Sequence, residues 1–200
     1  LVKRDPVKGA ALLRSAADRG DPKAQNALGQ LVLKGDGVPR DAAGAARLFG
    51  RAAKAGLPAA QVNLGILYIQ GVGVSADQRR GAALIRQAAT SGFRGAQFNL
   101  GVLLESGIGT AKDPVAARKW YSLAAEKGSA GAQFNLALLL LDPAAGKTDP
   151  VGSLKWLLLA AKGKTPGLRQ KSETAALELA RRLSKSQVAQ AGEAAMEWAR

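Results

Sequence analysis

The chain has 200 residues, 47% of them hydrophobic and 22% charged, with 29 lysines and arginines against 15 acidic residues and with neither histidine nor cysteine. Those two absences remove the commonest general base, thiolate chemistry, a disulfide framework and the usual transition-metal ligands. No apolar run reaches the ~20 residues that a bilayer-spanning helix needs. The net charge of +14 favours encounter with acidic partners.

Register organises the rest. Asp5, Asp41, Asp77, Asp113 and Asp149 recur every 36 residues, as do Gly20, Gly56, Gly92 and Gly128. The pairs Ala24-Gln25, Ala60-Gln61, Ala96-Gln97 and Ala132-Gln133 keep the same period, each followed by Leu28, Leu64, Leu100 or Leu136. A fixed period of this length marks stacked supersecondary units, none of which buries its apolar face alone. The fold class expected is all-α, an α/α solenoid of 36-residue helix-turn-helix repeats.

In chain order, Leu1 to Asp5 aligns with Gly37 to Asp41, the middle of a repeat, so the natural chain is expected to start earlier. Asp5-Pro6 opens a half-repeat that stops at Gly20. Asp21-Pro22 then starts the first arm of a hairpin, about 22 to 34, with aspartate as N-cap and proline at the first helical position. Gly35-Asp36-Gly37-Val38 ends that arm with residues that tolerate positive φ. The second arm, about 42 to 55, is capped by the periodic Asp41 and stopped by Gly56. The register repeats this hairpin, giving units at 21–56, 57–92, 93–128 and 129–163 after the half-repeat, all within a repeat region 1–163. The fourth departs from the pattern, with Ala137 in place of glycine and Pro143-Ala144-Ala145-Gly146 in place of the glycine loop. Residues 164–171 read as a linker, and 172–200 as C-terminal capping helices over 172–183 and 186–198, with Ala176, Leu179, Ala180 and Leu183 on one stripe and Val188, Ala191, Ala195 and Trp198 on the other.

Packing follows from spacing. Ala24, Leu28 and Leu31 share one stripe of the first arm at i, i+4, i+7. The second arm answers with Leu12, Leu48, Leu84, Trp120 and Trp156, then Leu13, Phe49, Ile85, Tyr121 and Leu157. Alanine pairs such as Ala52-Ala53 and Ala124-Ala125 let neighbouring helices approach to about 8–10 Å.

The segments Ala-Gln-Phe-Asn-Leu-Gly at 96–101, Gly-Ile-Gly-Thr at 107–110 and Ala-Arg-Lys-Trp-Tyr-Ser-Leu-Ala-Ala-Glu-Lys-Gly at 117–128 resemble the Sel1-like repeat family, a relative of the tetratricopeptide repeats. The resemblance implies a non-catalytic scaffold that assembles complexes in signalling, envelope or secretion processes, and the richness in alanine and glycine points to a bacterial source. Its cysteine-rich members have been linked to beta-lactam binding or hydrolysis, but they staple each repeat with a disulfide that this chain cannot form.

Chemistry is sparse. Six acidic residues, the periodic aspartates and Asp21, stand at N-caps, and equivalent aspartates of adjacent layers would lie about 10 Å apart, wider than a glycosidase carboxylate pair. No catalytic, cofactor or metal residue is therefore assigned. Gly71-Val72-Gly73-Val74 follows a helix and lacks the lysine and hydroxyl of a phosphate loop, so it reads as a turn. The glutamines at 25, 61, 97 and 133 and the asparagines at 63, 99 and 135 are expected to bond to neighbouring backbone. The basic residues are scattered and the nine aromatics lie mostly at core positions, which favours a solvated surface over nucleic-acid binding.

Tetratricopeptide geometry would turn a different stripe of the first arm toward a concave face. In the first unit it holds Asn26, Gln30 and Leu33. In later units it holds Val62, Ile66 and Ile69, then Phe98, Val102 and Glu105, then Phe134, Leu138 and Leu141, nearly all apolar. These nine later residues are the candidate site for a peptide or helix of a partner protein.

Overall fold

The structure is a computed structural model that describes residues 6–200. Among the described residues it contains eleven α-helices and no strand. In order they are α1 Pro6–Asp18, α2 Pro22–Lys34, α3 Ala42–Lys54, α4 Pro58–Gln70, α5 Gln78–Thr90, α6 Arg94–Ser106, α7 Pro114–Glu126, α8 Ala130–Leu139, α9 Pro150–Ala160, α10 Pro166–Ala180 and α11 Lys185–Trp198. The chain divides into two compact units, Leu1–Ala96 with Ile108–Thr110, and Gln97–Gly107 with Ala111–Arg200.

In the first unit the capping scheme expected from sequence is present. Asp21 Oδ1 accepts from the N–H of Lys23 at 2.8 Å and of Ala24 at 3.3 Å, Asp41 from Gly44 at 2.8 Å, and Asp77 from Arg80 at 2.9 Å. Asp5 lies outside the described residues. Asp41 and Asp77 also work through their main chains: Asp41 N–H donates to the Val32 carbonyl at 3.0 Å and Asp77 N–H to that of Tyr68 at 2.8 Å. One residue thus caps the second arm and satisfies an orphan carbonyl in the last turn of the first, which pins the hairpin.

Burial in this unit does not follow register alone. Phe49 and Ile85 are fully buried and Leu13 half-buried, whereas Leu12 is 75% exposed. The expectation that Leu12 is core is therefore corrected: its neighbour Leu13, about 100° further round α1, is the residue that packs against the buried cluster. Leu48 stays buried beside Phe49. The buried alanines Ala52, Ala53, Ala88 and Ala89 keep the arms thin. Glycine takes this to the limit between α4 and α5, where a Cβ on Gly81 would stand 2.5 Å from the Gly65 carbonyl oxygen and 2.6 Å from Ile69 Cγ1.

The second unit repeats the scheme. Asp113 caps α7 through Ala116 N–H and Asp149 caps α9 through Gly152 N–H, both at 2.8 Å, and their own N–H groups donate to Leu104 and Leu140 carbonyls at 2.8 Å. Replacing Asp113 with alanine is expected to lower unfolding free energy by about 1 kcal/mol, and with asparagine by a few tenths at most, as read from urea midpoints. Equal losses for the two variants would remove capping as the reason for the aspartate.

The aberrant loop of the fourth repeat forms a 3-10 turn, Pro143–Ala145, in which Asp142 accepts from Ala144 N–H at 2.9 Å. Where Ala137 replaces glycine, α9 answers with Ser153, whose Oγ donates to the Ala137 carbonyl at 2.7 Å.

Beyond α9 the expected linker at 164–171 is corrected. Helix α10 starts at Pro166, since Thr165-Pro166 places a proline with preset φ at the first helical position, and it ends at Ala180 rather than at 183. Helix α11 opens with a reciprocal capping box between Ser184 and Gln187. Both helices pack on α9 through stripes that bury Ala176, Leu179, Ala191 and Ala195, and Trp198 meets Trp156 edge-on at 5.9 Å.

Candidate interaction surface

The candidate stripe is not uniformly exposed within either unit. In the first unit Val62 is buried at 7% exposure and Ile69 lies over Gly81 of α5, which leaves Ile66 half-exposed. Val62 is thereby withdrawn from the accessible surface. Asn26 is occupied as well, because its Oδ1 accepts from Asn63 Nδ2 at 2.8 Å.

In the second unit Phe98 packs against Tyr121 with ring centroids 5.9 Å apart, and Val102 is half-buried. Glu105 accepts the hydroxyl proton of Tyr121 at 2.7 Å, and the same oxygen of Tyr121 accepts from Asn135 Nδ2 at 3.0 Å. Burial of Tyr121, reinforced by the Glu105 carboxylate, drives its pKa far above the ordinary phenol value, so it remains a neutral donor. Glu105 is thus a structural acceptor. Phe134 is half-buried, while Leu138 and Leu141 are 44% and 36% exposed.

The polar residues of the repeat take several kinds of partner. Gln25 Nε2 donates to the Ala17 carbonyl at 3.1 Å and Gln133 Nε2 to that of Ala125 at 3.3 Å, both buried bonds between arms, as expected. Asn63 and Asn135 depart from expectation by pairing with side chains. Spacing alone held no signal for that, because the partners come from other helices. Gly71 and Gly73 both have φ of 69°, which makes their loop a helix-helix turn.

Among the described residues no group of three or more acidic side chains is placed to hold a metal, and no helix is long and apolar enough to cross a membrane.

Paired helices capped in register, buried alanine seams and glycine-ended arms define an α/α-solenoid repeat protein of the helix-hairpin type. The Sel1 repeat matches residues 1–21, 22–57, 58–93, 95–129 and 130–164, and the chain belongs to the Sel1 repeat family. Among solved structures it is similar to c5321, a protective antigen of uropathogenic Escherichia coli strains with an SLR fold, at 28% identity and a TM-score of 0.80 over 98% of this chain and 42% of that one. The chain therefore spans less than half of that structure. It is also similar to a Sel1 repeat protein from Oxalobacter formigenes, at 29% identity and a TM-score of 0.68 over 80% of this chain and 69% of that one. No curated protein matches it in sequence. Sel1 repeats generally mediate protein–protein interaction, and the fold is typically a non-catalytic scaffold.

Proposed function

We propose that the chain is a bacterial adaptor without catalysis of its own, holding a helix or extended segment of a partner protein against the open part of the first-arm stripe. The observation that carries this reading is Leu138 and Leu141, two solvent-exposed leucines next to the half-buried Phe134 in the second unit. Apolar side chains at this spacing suit the anchor residues of an amphipathic helix. Membership in a family of interaction scaffolds supports the same reading, and the role proposed for it lies in signalling, envelope or secretion assemblies.

Replacing Leu138 and Leu141 together with aspartate tests it. Both are partly exposed, so the double variant should still fold at a cost of about 1 kcal/mol per site, while proteins that co-purify with the unaltered chain from its native cell should be lost. Retention of the same set by the folded double variant would reject this face. Phe98 is a poorer test site, because its contact with Tyr121 makes it part of the packing.

A further inference from the structure

We propose that the first unit carries a second docking surface, a basic cleft with an aliphatic floor that accepts an acidic peptide segment bearing an apolar anchor residue. The cleft, about 890 Å³, opens among α1, α2 and α3. Its floor is Leu28, Val32 and Leu48, and its walls carry Arg14, Arg51 and Lys54 together with Arg47. The candidate stripe, here Asn26, Gln30 and Leu33, does not contribute to it, and the inference stands apart from the adaptor reading.

Charge complementarity identifies the occupant. Two acidic residues line the cleft, Asp18 and Asp41. Asp41 is committed, since its Oδ1 caps α3 at 2.8 Å and its Oδ2 pairs with Arg47 at 3.5 Å. Arg14, Arg51 and Lys54 form no ion pair or side-chain hydrogen bond with any described residue, so their charge is available to a ligand. Carboxylates of a bound segment would neutralise them over an apolar surface that excludes water on one side, where charge pairs gain more than in bulk solvent.

The arrangement recurs. Leu136, Leu140, Trp156 and Asp149 occupy the register of Leu28, Val32, Leu48 and Asp41, and within the second unit they line a cleft of about 420 Å³. Its cations, Arg118, Lys119 and Lys147, come from other register positions, although Arg118 Nη1 is drawn to the Lys147 carbonyl at 2.6 Å. The periodic floor follows from the fold, whereas a cationic rim rebuilt from different positions does not. That separates the rim from a by-product of repeat duplication.

A protein ligand fits this cleft better than a nucleic acid. The first cleft has no aromatic face on which a base could stack, and phosphate binding needs no aliphatic floor. An acidic segment with one leucine uses both parts.

The test is fluorescence anisotropy with a labelled synthetic peptide of glutamates around one central leucine, at low and at physiological salt. Saturable binding is expected, weakened about tenfold or more by the triple variant Arg14→Glu, Arg51→Glu and Lys54→Glu. The charge-matched control Arg181→Glu, Arg182→Glu and Arg200→Glu should stay within about twofold. A peptide with serine for leucine should bind several-fold more weakly, and a single-stranded oligonucleotide of equal charge should compete poorly. If the triple variant fails to melt cooperatively, Arg14→Gln with Lys54→Gln should show a smaller loss of the same sign. Absence of saturable binding, equal losses in variant and control, indifference to the leucine, or an oligonucleotide binding as tightly as the peptide would each overturn the proposal.

Discussion

Phe49→Ala is expected to destabilise the first unit by about 3–5 kcal/mol, whereas Leu12→Ala should change stability by no more than about 0.5 kcal/mol. Both residues sit at apolar second-arm positions, in adjacent registers, and sequence gives no reason to rank them so differently. The structure does. Phe49 is 1% exposed and its ring lies where a Cβ on Gly29 would be, 2.7 Å from its Cε1. Truncation there leaves a void that the α2 backbone cannot collapse into without moving the layer. Leu12 already meets water over 75% of its surface, so it has little burial to lose. Urea unfolding followed by circular dichroism provides the comparison, and a larger loss for Leu12→Ala would contradict the burial of these two residues.

Gly73→Ala should cost about 2–5 kcal/mol, from two sources. Its φ of 69° is a left-handed conformation that costs an L-residue roughly 1–2 kcal/mol. The new Cβ would also run into the Ala42 carbonyl and come within 2.7 Å of Ala43 N at the start of α3, an overpacking worth about 1–3 kcal/mol. Gly109 repeats this against the Gln78 carbonyl at the start of α5. Gly50 is the contrast: it lies inside α3 with nothing within 4 Å of an added Cβ, so Gly50→Ala should raise stability by up to about 1 kcal/mol. Similar midpoints for the two variants would show that the loop does not press on the preceding arm.

Several features were legible because they are local. An aspartate followed by proline, or by a run of alanines, specifies a helix start through bonds that span three residues. A glycine after the last apolar position specifies the stop, and the positive φ at Gly20, Gly56, Gly92 and Gly128 bears that out. The early start of α10 is equally local, in Thr165-Pro166, but that segment carries no repeat consensus to mark it. The candidate stripe is a different matter. Its spacing correctly groups residues on one side of a helix, yet Val62 is buried, Glu105 is bound to Tyr121, and Leu138 is open to water.

The sequence alone determined the number of arms, their boundaries to within a turn, and the pairing of each first arm with the second arm that follows, because caps, stops and apolar spacing act over less than two helical turns. Tertiary packing decided which apolar residues stay exposed, which polar groups pair across helices, and why the second loop glycine must lack a side chain. Those outcomes depend on distances between helices, set by the combined bulk of residues far apart in the chain, and no single period of the repeat encodes them.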